Sequence, residues 1–220
     1  MRVYHFLPLK WAIEGIQKRR LKVARINDLN DPFEMFSADV GDKRLRAGLT
    51  NARNVAHEQI GFLCFSRDWK NPVQWSHYAD GHKGVCLGFE MADALLEPVH
   101  YSAKRLKMVE ADFVLEEPAA KVRMTTALFT KYVHWQYEQE MRAIVNLDAP
   151  EVIREAGLHF DPFSEVGSLV SVMLGARCPV GRAEITSILG ASLDGISLCK
   201  ARPAFRSFEM VKQQRASLWA

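Results

Sequence analysis

The sequence predicts an α+β fold in a single domain over residues 1–220, with a mixed, mostly antiparallel sheet and flanking helices. Two observations carry this. Strand-like and helix-like segments are intermingled without the strict alternation of a doubly wound sheet, and no repeat, low-complexity tract or Pro/Ser-rich linker divides the chain. Composition agrees, since 48% hydrophobic and 25% charged residues are ordinary globular usage. One hydrophobic core can organise a chain of 220 residues.

Residues 2–7 (RVYHFL) read as a strand, and Leu9 to Arg20 as a helix with Trp11, Ile13 and Ile16 apolar. Leu21 to Ile26 alternates apolar and basic residues, as a half-buried strand does, and stops at the turn formers of residues 27–32 (NDLNDP). A polar helix over Lys43 to Gln59 precedes the strand Gly61 to Ser66. Asn71 then suits an N-cap, Pro72 the first helical position, and Gln74 a reach back to the cap, with Gly81 or Gly84 ending the helix. Gly84 to Glu90 reads as a strand pairing with Gly61 to Ser66. A long helix from about Ala119 to His134 is predicted to feed a strand from Tyr137 to Val145. Beyond it come a strand at SLVSVMLG, an amphipathic helix from Gly181 to Leu189, a strand at ISLCKARP and a last strand from Phe205 to Val211.

A formal charge of +3 is too small to argue for a nucleic-acid partner. The four cysteines, in apolar runs without C-x-x-C spacing, read as buried free thiols. No signal-peptide pattern or membrane-length apolar run occurs, so the expectation is a cytoplasmic protein without a membrane partner. Phosphate-loop, dinucleotide-fold and serine-hydrolase motifs are absent.

Strand alternation puts Glu138, Glu140 and Arg142 on one face. On the Asn71 helix, Trp75, Tyr78, Ala79 and His82 form a stripe, with Gln74 and His77 beside it. Trp75 belongs in a core, whereas Tyr78 suits a cleft rim, where its ring stacks and its hydroxyl bonds. His77 and His82 diverge and make no zinc-helix pair. In the loop Asn30-Asp31-Pro32-Phe33-Glu34, the first two lock a turn, Phe33 anchors it and Glu34 remains free.

The ordered segments YHF, LNDPFE, CFS, NPVQWSHYADGHKGVCLGFE and KYVHWQYEQEMRAI resemble the bacterial domain of unknown function 2971 family across about residues 4–145. Their order is in turn similar to that of divergent ADP-ribosyltransferases, which implies a split-sheet core and NAD as substrate. Under that resemblance Glu140 matches the catalytic glutamate and Glu138 orients an acceptor. His5 and Ser66 match NAD-binding positions on the first and second core strands, Tyr78 matches the aromatic that stacks on nicotinamide, and Arg142 neutralises pyrophosphate. Asn30, Asp31, Glu34 and His77 complete the candidate set as substrate or loop contacts. The implied activity is an ADP-ribosyltransferase or NAD glycohydrolase, in a bacterial toxin or phage-defence setting, with an unknown protein or nucleic-acid acceptor. Two alternatives stand beside it. One is a metal-dependent phosphodiesterase or nuclease gathering Asp31, Glu34, Glu138 and Glu140 around Mg²⁺ or Mn²⁺. The other is a non-enzymatic ligand-sensing or protein-interaction module.

Overall fold

In the computed structural model, which describes residues 1–113 and 117–220, the chain opens with β1 (Arg2–Leu7), α1 (Leu9–Lys18) and β2 (Arg20–Arg25). The left-handed Arg19, at φ 52°, closes α1 by donating its N–H back to Gly15 and Ile16, turning the chain straight into β2. After the NDPFE loop come α2 (Lys43–Gln59), capped by Asp42, and β3 (Ile60–Ser66). Then follow α3 (Pro72–Tyr78), β4 (Val85–Glu90) and two short strands, β5 (Glu97–Pro98) and β6 (His100–Ser102). The middle of the chain holds α4 (Pro118–Leu128), β7 (Thr130–Tyr132) and β8 (Glu140–Asn146). The last third contains β9 (Ile153–Glu155), β10 (Leu158–Pro162), α5 (Phe163–Val166), β11 (Ser168–Leu174), α6 (Arg182–Leu189), β12 (Ser197–Pro203) and β13 (Met210–Lys212).

Most strands join one open, mostly antiparallel sheet, whose long path runs β13-β12-β11-β4-β1-β3-β2-β10-β9. One edge of β3 carries β8 along its whole length, from Ile60↔Asn146 to Ser66↔Glu140. The other edge is shared. β1 meets it only at Tyr4↔Ser66, and β2 only at Ala24↔Phe62 and Arg25↔Gly61. Between those contacts β1 and β3 separate, and His5 spans the gap by donating Nδ1–H to the Cys64 carbonyl at 2.8 Å. This split positions the site.

Apolar residues pack on both faces. Ala12 and Ile16 of α1 and Ile185 and Leu189 of α6 cover one face with Leu63, Phe65, Leu87 and Val172. Leu49 of α2 and Met124, Ala127 and Leu128 of α4 cover Phe62 on the other. Trp75 is fully buried in a third cluster with Cys86, Met173 and Cys199, as its position in the helical stripe predicts. The cysteines are free; three are buried and Cys64 partly so.

Several segments depart from expectation. β4 pairs with β1 and β11, not with β3, because β1 inserts between them. The long middle helix ends at Leu128, and Thr130–Tyr132 becomes β7, pairing in parallel with β6. Residues Val133–Glu138 wind as a 3-10 helix rather than entering the strand. Asn71 caps α3 with its Oδ1 on the Val73 N–H, but Gln74 turns inward instead of back to the cap. The helix stops at Tyr78, before either glycine, and His82 sits at φ 71° outside it. The last strand covers only Met210–Lys212.

Candidate functional site

At the split in the sheet lies a cavity of about 320 Å³. Its walls are aromatic, with Tyr4, Phe6, Phe62, Phe65 and Tyr78, and its polar lining includes His5, Asn30, Ser66, Gln74, Lys131, Glu138 and Glu140. This is a small pocket by the usual range of about 300–1,000 Å³, with room for a nucleoside-sized group.

Glu138 and Glu140 meet by a route that strand alternation does not describe. Glu138 ends the 3-10 helix, Gln139 takes a left-handed conformation at φ 43°, and only Glu140 begins β8. Both carboxylates nevertheless converge on Lys131 of β7, whose Nζ lies 2.8 Å from Glu138 Oε2 and 2.7 Å from Glu140 Oε2. Gln74 fixes the turn from below, donating Nε2–H to the Glu138 carbonyl at 2.6 Å and to Ser66 Oγ at 3.0 Å. Asn71 adds a bond from Nδ2 to the Tyr137 carbonyl at 3.2 Å. Helix α3 thus holds the Glu138 turn with two amide side chains.

The two carboxylates differ in environment. Burial penalises the charge on each. At Glu140, Arg142 Nε at 2.8 Å together with Lys131 more than reverses the penalty, and the carboxyl is held well below its ordinary range. At Glu138, burial and the neighbouring Glu140 charge outweigh Lys131 and the Tyr78 hydroxyl that bonds Oε1, and the carboxyl is pushed up. Burial also works against Lys131, yet the two glutamates keep its ammonium charged and raise its pKa. The cleft floor therefore carries one firmly ionised carboxylate and one with a raised proton affinity, the pattern that separates acid-base roles.

Tyr78 stands at the rim as expected, its hydroxyl donating to Glu138 and accepting from Asn30 Nδ2 at 2.9 Å. His5 has its tautomer set by the Cys64 carbonyl, which can only accept, so the proton sits on Nδ1. Burial lowers the ring's pKa, leaving Nε2 a neutral acceptor without a protein partner among the described residues. Ser66 lines the cavity, but its hydroxyl donates to the Asp68 carbonyl and accepts from Gln74 and the Asp68 N–H.

Four predicted positions lie elsewhere. Arg142 is fully buried, and its guanidinium is engaged by Glu140, by Glu34 at 2.5 Å and by the Leu128 carbonyl at 2.8 Å. It is an internal counter-ion and cannot receive a pyrophosphate. Glu34, expected to be free, is the buried partner of that arginine. Asp31 locks the loop as expected, accepting the Phe33 N–H at 2.9 Å. Phe33 is no anchor; it is 51% exposed. His77 is exposed outside the cavity and bonds the Tyr137 hydroxyl at 2.8 Å. The four acidic residues do not assemble as a metal site: among the described residues no group of three or more His, Cys, Asp or Glu is placed to hold an ion.

Sequence reasoning missed Lys131, the inward role of Gln74, and Lys22. Lys131 lies near the end of the stretch read as helix, Ala119 to His134, and no local spacing links it to the glutamates. Lys22 carried a signal, being a basic residue on an alternating strand; it lines the cavity, is exposed, and pairs with no carboxylate among the described residues. Among those residues no helix is long and apolar enough to cross a membrane.

Neither the curated proteins nor the solved structures provide a match to this chain. Residues 74–143, which contain most of α3, Lys131 and both cleft glutamates, match the sequence profile of the proteins of unknown function DUF2971, and over that segment the chain is similar to this family.

Proposed function

We propose that this cleft cleaves the N-glycosidic bond of NAD, passing the ADP-ribosyl group to a nucleophile on a protein or nucleic acid, or to water. The resemblance to ADP-ribosyltransferases suggests the substrate. The observation that carries the reading is the pair of differently charged glutamates on the floor of an aromatic-walled cleft. As the C1′–N bond breaks, its electron pair leaves with the pyridinium nitrogen, nicotinamide departs neutral, and positive charge grows on the ribose. Glu140, kept ionised by Arg142 and Lys131, stabilises that charge. Glu138, with its raised proton affinity, takes the proton of the incoming nucleophile. Tyr78 offers a ring for nicotinamide to stack on, and His5 Nε2 accepts from a ribose hydroxyl. The pyrophosphate role assigned to Arg142 passes to Lys22 at the cavity wall.

Titrating NAD against the folded protein while following nicotinamide release, with and without a chelator, tests this. Release that persists in chelator supports the reading. Chelator-sensitive cleavage to AMP and nicotinamide mononucleotide, without free nicotinamide, favours the metal-dependent phosphodiesterase class instead, because the mechanism proposed here asks nothing of a metal. Binding without release favours a sensing module.

A further inference from the structure

The NDPFE loop has a second side that the NAD reading leaves unused. Asn30 faces the cleft, Glu34 is sealed under Arg142, and Phe33 points to a separate cavity of about 260 Å³ that shares Lys131 as a wall. Phe33, Phe36 and Tyr132 border this second cavity, and two of these rings are exposed, Phe33 at 51% and Tyr132 at 48%. One side of each is already supported. The Arg105 guanidinium lies 5.0 Å over the Phe33 ring, and His134 stacks on Tyr132 with centroids 4.6 Å apart. Among the described residues no acidic side chain lines the cavity, whereas Lys104, Arg105 and Lys131 do. Neither Lys104 nor Arg105 forms an ion pair among the described residues. Arg105 is pre-set: its Nη1 donates to the Phe36 carbonyl at 3.2 Å and the Ala38 carbonyl at 3.1 Å, while Nε and Nη2 have no protein acceptor among the described residues.

We infer that this second cavity is a binding site for a nucleoside monophosphate or a nucleotide end of the same chemistry, its base on the Phe33 and Tyr132 rings and its phosphate on Lys104 and Arg105. Exposed aromatic faces take any base by stacking, and a guanidinium fixed by backbone carbonyls meets phosphate at little entropic cost. A bare anion site would not need the rings. A purely apolar site would not need two unpaired cations. The site stands independently of the NAD reading, since its residues do not include the cleft glutamates.

The test titrates AMP, adenosine and inorganic phosphate against wild type, Phe33→Ala, Lys104→Gln and Lys22→Gln, each checked for an unchanged unfolding transition. Wild type should bind AMP more tightly than adenosine or phosphate. Phe33→Ala should weaken AMP by roughly 5- to 150-fold, the range for a lost base-aromatic stack. Lys104→Gln should weaken AMP by roughly two- to fivefold and leave adenosine unchanged. Lys22→Gln, in the other cavity and out of contact with this one, should leave AMP affinity unaltered. AMP binding that ignores Phe33→Ala and Lys104→Gln but responds to Lys22→Gln would place the ligand in the cleft and overturn the inference. So would a folded wild type that binds no AMP, whatever its activity on NAD.

Discussion

Two buried carboxyls on different strands of one sheet have opposite fates. Glu140 on β8 and Asp161 on β10 both lie under 10% exposed, at 5% and 8%. Burial pushes both upward. At Asp161 nothing counters it, and the nearby Glu165 and Glu151 add to it, so its pKa rises to about 6. At Glu140 the Arg142 guanidinium and Lys131 ammonium reverse the sign. Burial with two nearby carboxylates therefore raises an acid's pKa in this fold, and at Glu140 the direction is reversed by the two cations buried with it. That arrangement costs desolvation of four further groups, Arg142, Lys131, Glu34 and Glu138, which an apolar core would avoid. The expense falls at the split in the sheet, where the candidate chemistry is.

The most disruptive way to break the contrast is Arg142→Ala. It leaves Glu34 and Glu140 buried without their shared partner and should cost about 3–5 kcal/mol, the usual loss when one member of a buried ion pair is removed; denaturant unfolding measures it. Next comes Gln74→Leu. The Glu138 carbonyl and Ser66 hydroxyl lose a buried donor, for about 1–3 kcal/mol, and the Glu138 turn loosens, which slower nicotinamide release with an intact fold would register.

Asp161→Asn sharpens the other side of the comparison. A carboxyl whose pKa is raised on folding contributes stability that is complete below its ordinary value of about 3.9 and is lost as pH rises through its folded value. Wild type should lose this contribution as pH rises to about 6 and beyond, and the asparagine variant should not. Glu140 runs the other way: its contribution is present above about 4.3 and disappears as pH falls through its depressed folded value. The smallest effect expected is that of Lys22→Gln. It should leave stability unchanged and weaken NAD by roughly two- to fivefold, with a shallower salt dependence, in a binding titration.

What was legible in the sequence follows from the range of the forces involved. The bounds of α2 at Lys43–Gln59, the Asn71 cap with Pro72, and the Asp31 turn are local events, fixed by groups within a few residues. Tyr78 and both glutamates stood out for the same reason, and they do line one cavity. The partners that set their charge did not stand out. Glu34 and Arg142 are 108 residues apart, and Gln74 reaches 64 residues to the Glu138 carbonyl. The exchange of a long helix for β7 and a 3-10 turn has the same origin. Residues 130–132 find β6 as a partner, and tertiary pairing overrides local propensity there.

In the proposed mechanism Glu140 is kept ionised and stabilises a cation at the ribose. Nicotinamide release from NAD by wild type and Glu140→Gln, at neutral pH and with NAD affinity measured in parallel, tests it most directly. Release by wild type, with a loss of about 100-fold or more in turnover for the folded variant and little change in affinity, is the predicted result. Glu138→Gln, whose carboxyl leaves the Arg142 pair intact, provides a second folded variant should the first prove unstable, and it should also slow release. Equal release by wild type and the folded Glu140→Gln protein, or none from folded wild type that binds NAD, would contradict the account.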